Sequence, residues 1–471
     1  MDRKFYITSP IYYVNDKPHV GHAYSTIIAD TLARYHRALG DEVTFLTGTD
    51  ENSQKTVDAA RKSGEDIISY TDRLAGVWKS VWQALNISNT DFIRTTEARH
   101  KKMVEEFWKR LWDNGDIYKG RYEGLYCKGH EAFMKESDLV NGLCPDHKTK
   151  PEHFAEDNYF FRLKRYEKDL SAFYEKNPNF VIPENRYNEV KNFVSEGLED
   201  LSISRQVQKW GIPVPNDPSQ VVYVWFDALI NYVSAIGIEQ WEQHPADVHV
   251  IGKDITRFHA IIWPAMLMSA KLPLPKQVAA NGFFTVNGVK ISKSLGNAID
   301  PIGLAEKYGA EALRYFLLRE IPYGEDGDFS EEKLKERYNA DLANGLGNLL
   351  SRIMKMAAMA NIVVPAWDAA KLVKANPRIP RFMEEYQLDN VIEHIWEKIS
   401  QADAMIEEKK PFKILKTDRA KAEKDIILLL KQLKEIAVML EPFMPETSEK
   451  ILEAIKTNSE IKVPLFPRKQ T

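Results

Sequence analysis

Apolar positions along the chain change period more than once, and the changes divide it. FYITSP, near the N-terminus, is an apolar run of strand length. Beyond it Tyr24, Ile28, Leu32, Tyr35 and Leu39 recur at steps of 4, 4, 3 and 4, one face of a helix that Gly40 stops. EVTFLTGTD, residues 42–50, is rich in β-branched and aromatic positions and ends in turn formers, which predicts a second strand. Strand, helix and strand in that order make a right-handed β-α-β unit and so a parallel sheet. The pattern returns at DVHVIGKD, 247–254, with a helix through Phe258, Ile262 and Met266 and then strand and loop over 278–294. We read one α/β, Rossmann-like sheet split by an insertion. From about residue 335 the periods 337–360, 386–408 and 425–440 predict an antiparallel, all-α helical bundle. The segments expected are 1–115 and 216–295 for the split sheet, 116–215 for the insertion, 296–340 for a connecting segment and 341–471 for the bundle.

Composition narrows the class. A chain of 471 residues is too long for one core and predicts two to four units. Apolar residues at 44% and charged residues at 28% exclude disordered and fibrous classes. The longest uncharged apolar stretch, AIIWPAMLMSA at 260–270, is shorter than the roughly 20 residues a membrane span needs. MDRKFYITSP lacks the features of a secretory or transit sequence, so a cytoplasmic address is expected. Two cysteines exclude a disulfide framework. The net charge of −4 carries no global basic signature, and charge alone argues against a nucleic-acid partner.

Two stretches hold chemistry. HVGH, with His19 and His22 three apart, falls where the first strand hands over to its helix, where unpaired N–H groups and the helix dipole favour phosphate. Gly21 between them permits close backbone approach. Zinc is the competing ligand, although helical zinc pairs usually stand four apart, and ordinary surface or core histidines are the plainest alternative. VNGVKISKSLGN, 286–297, sets Lys290 and Lys293 three apart among Ser292 and Ser294 on a Gly-bounded loop. Such ammonium groups can reach a polyphosphate, or simply be solvated.

Together, HVGH after the first strand and KISKS after the last resemble the signature pair of the class I aminoacyl-tRNA synthetases. Within that class YITSPIYYVNDKPHVGHAYS, FLTGTDEN, VYVWFDALINY, HVIGKDITRFHAIIWPAML, VNGVKISKSLGN and PFMPETSEKI resemble the methionyl-tRNA synthetase family over nearly the whole chain. The resemblance implies a catalytic domain at 1–115 and 216–295, a connective insertion, a KISKS loop with a stem-contact segment, and an anticodon-binding bundle. It implies that His19 and His22 hold ATP phosphates and that Lys290 and Lys293 steady the departing pyrophosphate. Ser292, Ser294 and Gly21 join them at ATP, Gly252 and Asp254 contact adenosine, and Mg²⁺ accompanies the triphosphate. Asp50 pairs with the substrate ammonium, and Ile11, Tyr13, Trp225, Ala228, Leu229, Tyr232, Ile255 and His259 wall the thioether chain of L-methionine, surfaces suited to a polarisable sulfur. Leu229 departs from the family pattern, where proline often stands. Asn348 and Arg352, four apart on one helical face, match anticodon contacts of tRNA(Met), and Phe412 stands where the family typically has a stacking tryptophan.

The insertion carries Cys127-x2-His130 and Cys144-x2-His147, enough donors for one structural Zn²⁺, against a metal-free knuckle held by packing. It is too short for the large editing domain that the isoleucyl, leucyl and valyl enzymes need, because apolar pockets separate a methylene by only about 10- to 200-fold. With little chain after the bundle, a monomer is expected. Two rivals remain: a nucleotidyltransferase that adenylates a small carboxylate without RNA, and a non-catalytic RNA-binding paralogue.

Overall fold

The computed structural model describes residues 3–127, 132–134, 136–145, 148–206, 208–286, 288–291, 297–367 and 376–469. Six strands make the central sheet: β1 (Lys4–Tyr13), β2 (Glu42–Asp50), β3 (Asp91–Arg94), β4 (Val181–Ile182), β5 (Val248–Gly252) and β6 (Gln277–Asn281). Their spatial order is β3-β2-β1-β5-β6-β4, and every pair is parallel. The first crossovers are α1 (Val20–Ala38), α2 (Gln54–Ser63) with α3 (Ile67–Ala84), and, after β3, α4 (Ala98–Asp113). Chain order reverses between β1 and β5, so the ligand crevice of this topology opens at their C-terminal ends.

Central position explains the composition of β1, which is buried along most of its length as expected of a parallel strand covered on both faces. It runs further than FYITSP. Pro10, with no N–H to give, shifts the register with β2 between Thr8 and Ile11, and the Ser9 hydroxyl reaches Thr47 Oγ1 (2.7 Å) across the break. In α1 the predicted face is buried at Tyr24, Ile28, Leu32 and Tyr35, whereas Leu39, past the last helical residue, is exposed.

The insertion has its own antiparallel sheet, with Ile117–Cys127 and Glu152–Phe161 flanked by Ala132–Met134 and Leu201–Ser202. It also gives β4 to the central sheet. Two residues ahead of Pro183 are too few to show a period, and an edge position tolerates the proline that follows.

Helices Asn348–Ala360, Leu388–Lys409, Arg419–Leu440 and Pro445–Thr457 form the bundle. Ahead of the first, Tyr338–Gly347 is wound as a π-helix, and its Asn344-Gly345 and Gly347 lower α-propensity. One apolar core continues from α1 and α3 through helix Ala310–Glu320 into the bundle.

Candidate active site

His19 is the N-cap of α1, and His22 stands at its third helical position. The His19 Nδ1 accepts the Gly21 N–H (3.1 Å), and the His22 Nδ1 accepts the His19 N–H (3.2 Å), a reciprocal cap with imidazoles in place of hydroxyl and carboxylate. Two consequences follow. Each ring uses Nδ1 as an acceptor, so in its neutral form the proton sits on Nε2. The rings stack at 3.7 Å between centroids, with His22 also against Tyr12 and Trp78. Gly21 is required by this cap as well: a Cβ there would come within 3.0 Å of the His19 ring.

The flank of the second signature meets this turn. The Val20 N–H donates to the Ile299 carbonyl (3.0 Å), and Lys17 pairs with Asp300 (3.0 Å). On the other side Val289–Lys290 pairs with Phe284–Val286. Ser292, Lys293 and Ser294 lie outside the described residues, as does the Lys290 side chain.

Residues of β1 and β2 help line a cavity with an empty volume of about 260 Å³. Ile11 and Asp50, from the ends of β1 and β2, form one wall. Trp225, Ala228 and Leu229, on helix Val224–Leu229, form another, and Tyr232, Ile255 and His259 complete it. Eight of the nine residues expected around methionine therefore share one cavity. The ninth, Tyr13, lies opposite Asp50 in the β1–β2 register and packs edge-on to Trp225. The Trp225 indole stacks flat on Phe258 (3.9 Å). Gly252 ends β5, and the exposed Asp254 folds back so that a Cβ on Gly252 would meet its Oδ1 at 2.9 Å.

Sequence reasoning missed two lining residues, Pro10 and Asn231. The Asn231 amide donates to the Ala228 carbonyl (2.6 Å), which holds the turn under Leu229. A lone polar residue in ALINYV was the available signal.

His259 sits on the π-turn Phe258–Ile262, its Nδ1 bonded to the Ile255 carbonyl (3.0 Å) and its Nε2 accepting the Tyr232 hydroxyl (2.6 Å). Burial pushes this imidazole down to about 4, and burial likewise holds His249, stacked near Tyr232, well below the ordinary histidine value. As pH falls from about 6.5 to 4 the unfolded chain takes up a proton that the folded His259 refuses, so stability falls in that window. The loss due to His259 is expected to be roughly 3 kcal/mol. His259→Gln should flatten this slope in unfolding midpoints taken across the window; an unchanged slope would exclude His259 as its source.

At the far end of the chain Asn348 is exposed, and Arg352, one turn on, is ion-paired with Asp403 (2.9 Å) and Glu407. Phe412, on the short helix Pro411–Ile414, is 38% exposed, open enough for its ring to stack on a ligand. In the insertion Cys127 and Cys144 are both buried. His130 and His147 lie outside the described residues, among which no cluster of three or more metal-ligating side chains gathers. No helix of the described residues is long and apolar enough to cross a membrane.

A family profile described as tRNA synthetases class I (M) matches residues 5–153 and 137–354, and one for the anticodon binding domain of methionyl tRNA ligase matches 371–465. The methionine–tRNA ligase of Thermotoga maritima is 45% identical over 96% of this chain and 75% of its own length. That of Rickettsia felis is 44% identical over 98% of this chain and 93% of its own. The structure of Mycobacterium tuberculosis methionyl-tRNA synthetase in complex with methionyl-adenylate superposes with a TM-score of 0.90 at 40% identity, over 96% of this chain and 93% of that one. With the split parallel sheet and these matches in agreement, the chain belongs to the class I tRNA synthetases, in their methionyl branch.

Proposed function

We propose that the chain is a methionine–tRNA ligase. A carboxylate oxygen of L-methionine attacks the α-phosphorus of ATP, the bond to the bridging oxygen breaks, and pyrophosphate leaves methionyl-adenylate. The 3′ adenosine hydroxyl of tRNA(Met) then attacks the activated carbonyl and AMP departs. The observation that carries the reading is the cavity: a single acidic residue, buried Asp50, in a chamber lined mostly by apolar and aromatic side chains.

Each group then has a task. Asp50 pairs with the ammonium, Trp225, Leu229 and Ile255 enclose the thioether, and the Tyr232–His259 pair closes the floor with a neutral ring. His19 and His22 direct N–H groups at the phosphates, where charge on the transferring group grows. Lys290 and Lys293, with Ser292 and Ser294, meet the pyrophosphate, and Gly252 and Asp254 the adenosine. Mg²⁺ enters bound to the triphosphate. Asn348, Arg352 and Phe412 meet the anticodon, and Arg352 exchanges its carboxylate partners to do so. The working compartment is the cytoplasm and the working form a monomer, which a single-chain mass by light scattering would test.

For zinc, Cys127 and Cys144, both buried, with His130 and His147 would supply four donors, the number that a structural site needs. Bound there, the metal would contribute folding energy to the insertion. Metal analysis of the purified chain should find one zinc, lost in Cys127→Ser; a zinc-free chain would leave the knuckle held by packing.

The test of function is ATP–pyrophosphate exchange, one amino acid at a time. Exchange with methionine alone is the expected result. Exchange with a different amino acid would overturn the pocket assignment, and none with any would favour the RNA-binding paralogue.

A further inference from the structure

A fully buried polar chain runs behind the cavity. Asp227 lies on helix Val224–Leu229 between Trp225 and Ala228, with its side chain turned away from the cavity. Its Oδ1 meets His100 Nε2 (2.5 Å), and its Oδ2 accepts the Asn52 amide (2.7 Å). The His100 Nδ1 faces Ser234 Oγ (2.9 Å), whose own hydrogen is committed to the Ile230 carbonyl (2.9 Å). The hydroxyl can therefore only accept from the ring, so Nδ1 carries a proton and a second proton is shared between Nε2 and Oδ1. The pair is neutral as a unit and fully hydrogen-bonded, the condition under which buried ionisable groups hold one geometry. The asparagine amide is fixed in sense, since its nitrogen also donates to the Thr95 carbonyl (3.3 Å).

Asn52 faces both ways. Its backbone N–H donates to Asp50 Oδ1 (3.4 Å) while its side chain holds Asp227. The loop between is fastened from outside, the Trp210 indole donating to the Glu51 carbonyl (2.7 Å) and the Gln208 amide to that of Asn52 (2.8 Å). Two parts of the cavity lining, the carboxylate on β2 and the aromatic-aliphatic face of helix Val224–Leu229, are thus joined through one amide and one carboxylate.

We propose that Asp227, with Asn52 and His100, is the positioning device that sets the distance between Asp50 and the side-chain wall, and so fixes how methionine is held. The proposal rests on the methionine reading of the cavity. None of the three residues is expected to touch substrate; they act through Asp50 and Trp225.

Asp227→Ala removes the acceptor of the Asn52 amide and the partner of His100 Nε2. In pyrophosphate exchange the variant is expected to raise KM for methionine about tenfold or more, the scale of one lost charge-assisted hydrogen bond, with KM for ATP unchanged. Asp227→Asn can turn its amide oxygen to the Asn52 N–H and its nitrogen to the neutral His100 Nε2, so it keeps the chain of bonds and should hold the methionine KM close to wild type. Ser234→Ala, a milder change behind His100, serves if Asp227→Ala does not fold and should raise only the methionine KM. Equal rises in both KM values, no change in folded Asp227→Ala, or an Asp227→Asn as impaired as Asp227→Ala would each overturn the proposal. Wild type without methionine-dependent exchange would instead remove the functional reading beneath it.

Discussion

Replacing His22 by alanine is expected to slow methionine-dependent pyrophosphate exchange about 10²- to 10³-fold, the cost of one donor aimed at charge that develops in the transition state. The structure separates that cost from damage to the helix. His22 has two jobs on one ring: Nδ1 closes the cap on the His19 N–H, and in the neutral ring Nε2 carries the remaining proton. Alanine removes both, and loss of the cap alone costs about 1 kcal/mol of stability. Glutamine at the same helical position can still reach back to the N-cap N–H, as in an ordinary capping box. It puts no ring against Tyr12 and Trp78, and with its oxygen on the cap its amide N–H hangs on a flexible chain rather than on a ring held by those aromatics. His22→Gln should therefore unfold close to wild type yet remain about as slow as His22→Ala, with methionine KM little changed. Full exchange in both variants would mean that His22 only caps α1 and that the phosphates are held by other groups.

That separation was out of reach of the sequence, and the reason is general to this chain. HVGH could be placed at a helix start because the periods on both sides change there, and Glu42–Asp50 could be bounded because a β-rich run ends in turn formers. The cavity walls followed from resemblance, since no period links Ile11 to Trp225 or His259. What could not be read is which polar residues turn inward. His100, Asp227, Asp30 and Arg314 are fully buried, yet each stands in a stretch that reads as an ordinary half-polar helix. Their partners lie on other elements, and burial of a charge is set by those partners rather than by neighbours in the chain. Charge erred for the same reason: a net charge of −4 argued against RNA, although the bundle matches an anticodon-binding domain. Global charge averages out whatever surface such a domain presents.

Replacing Arg314 by methionine is expected to destabilise the folded chain by about 3 to 5 kcal/mol, the range for breaking a buried ion pair from one side. Arg314 and Asp30 are both wholly buried and 2.7 Å apart. Asp30, on α1, also takes Arg34 (2.8 Å) and the N–H and hydroxyl of Ser88 (2.6 Å each). Arg314 gives its Nε to the Phe443 carbonyl (3.0 Å) and an Nη to that of Pro442 (3.3 Å), at the turn that enters helix Pro445–Thr457. Burial alone would raise the Asp30 carboxyl, but Arg314, Arg34 and the Ser88 bonds together hold it below the usual carboxylate range. Its contribution is therefore present above the ordinary aspartate pKa and lost as pH falls below it; without Arg314 the loss should begin at higher pH. Asp30→Asn combined with Arg314→Met removes the stranded charge and should cost less than the sum of the single changes. The site joins the helix that begins with HVGH to the bundle that begins near Asn348, and on the roles proposed for those two ends it would set the reach between them. At a temperature where Arg314→Met remains folded, transfer to tRNA should fall more than pyrophosphate exchange, which needs only the first half of that span. Equal losses in the two assays would make the junction a matter of stability alone, and a destabilisation below about 1 kcal/mol would place the pair among ion pairs as weak as exposed ones.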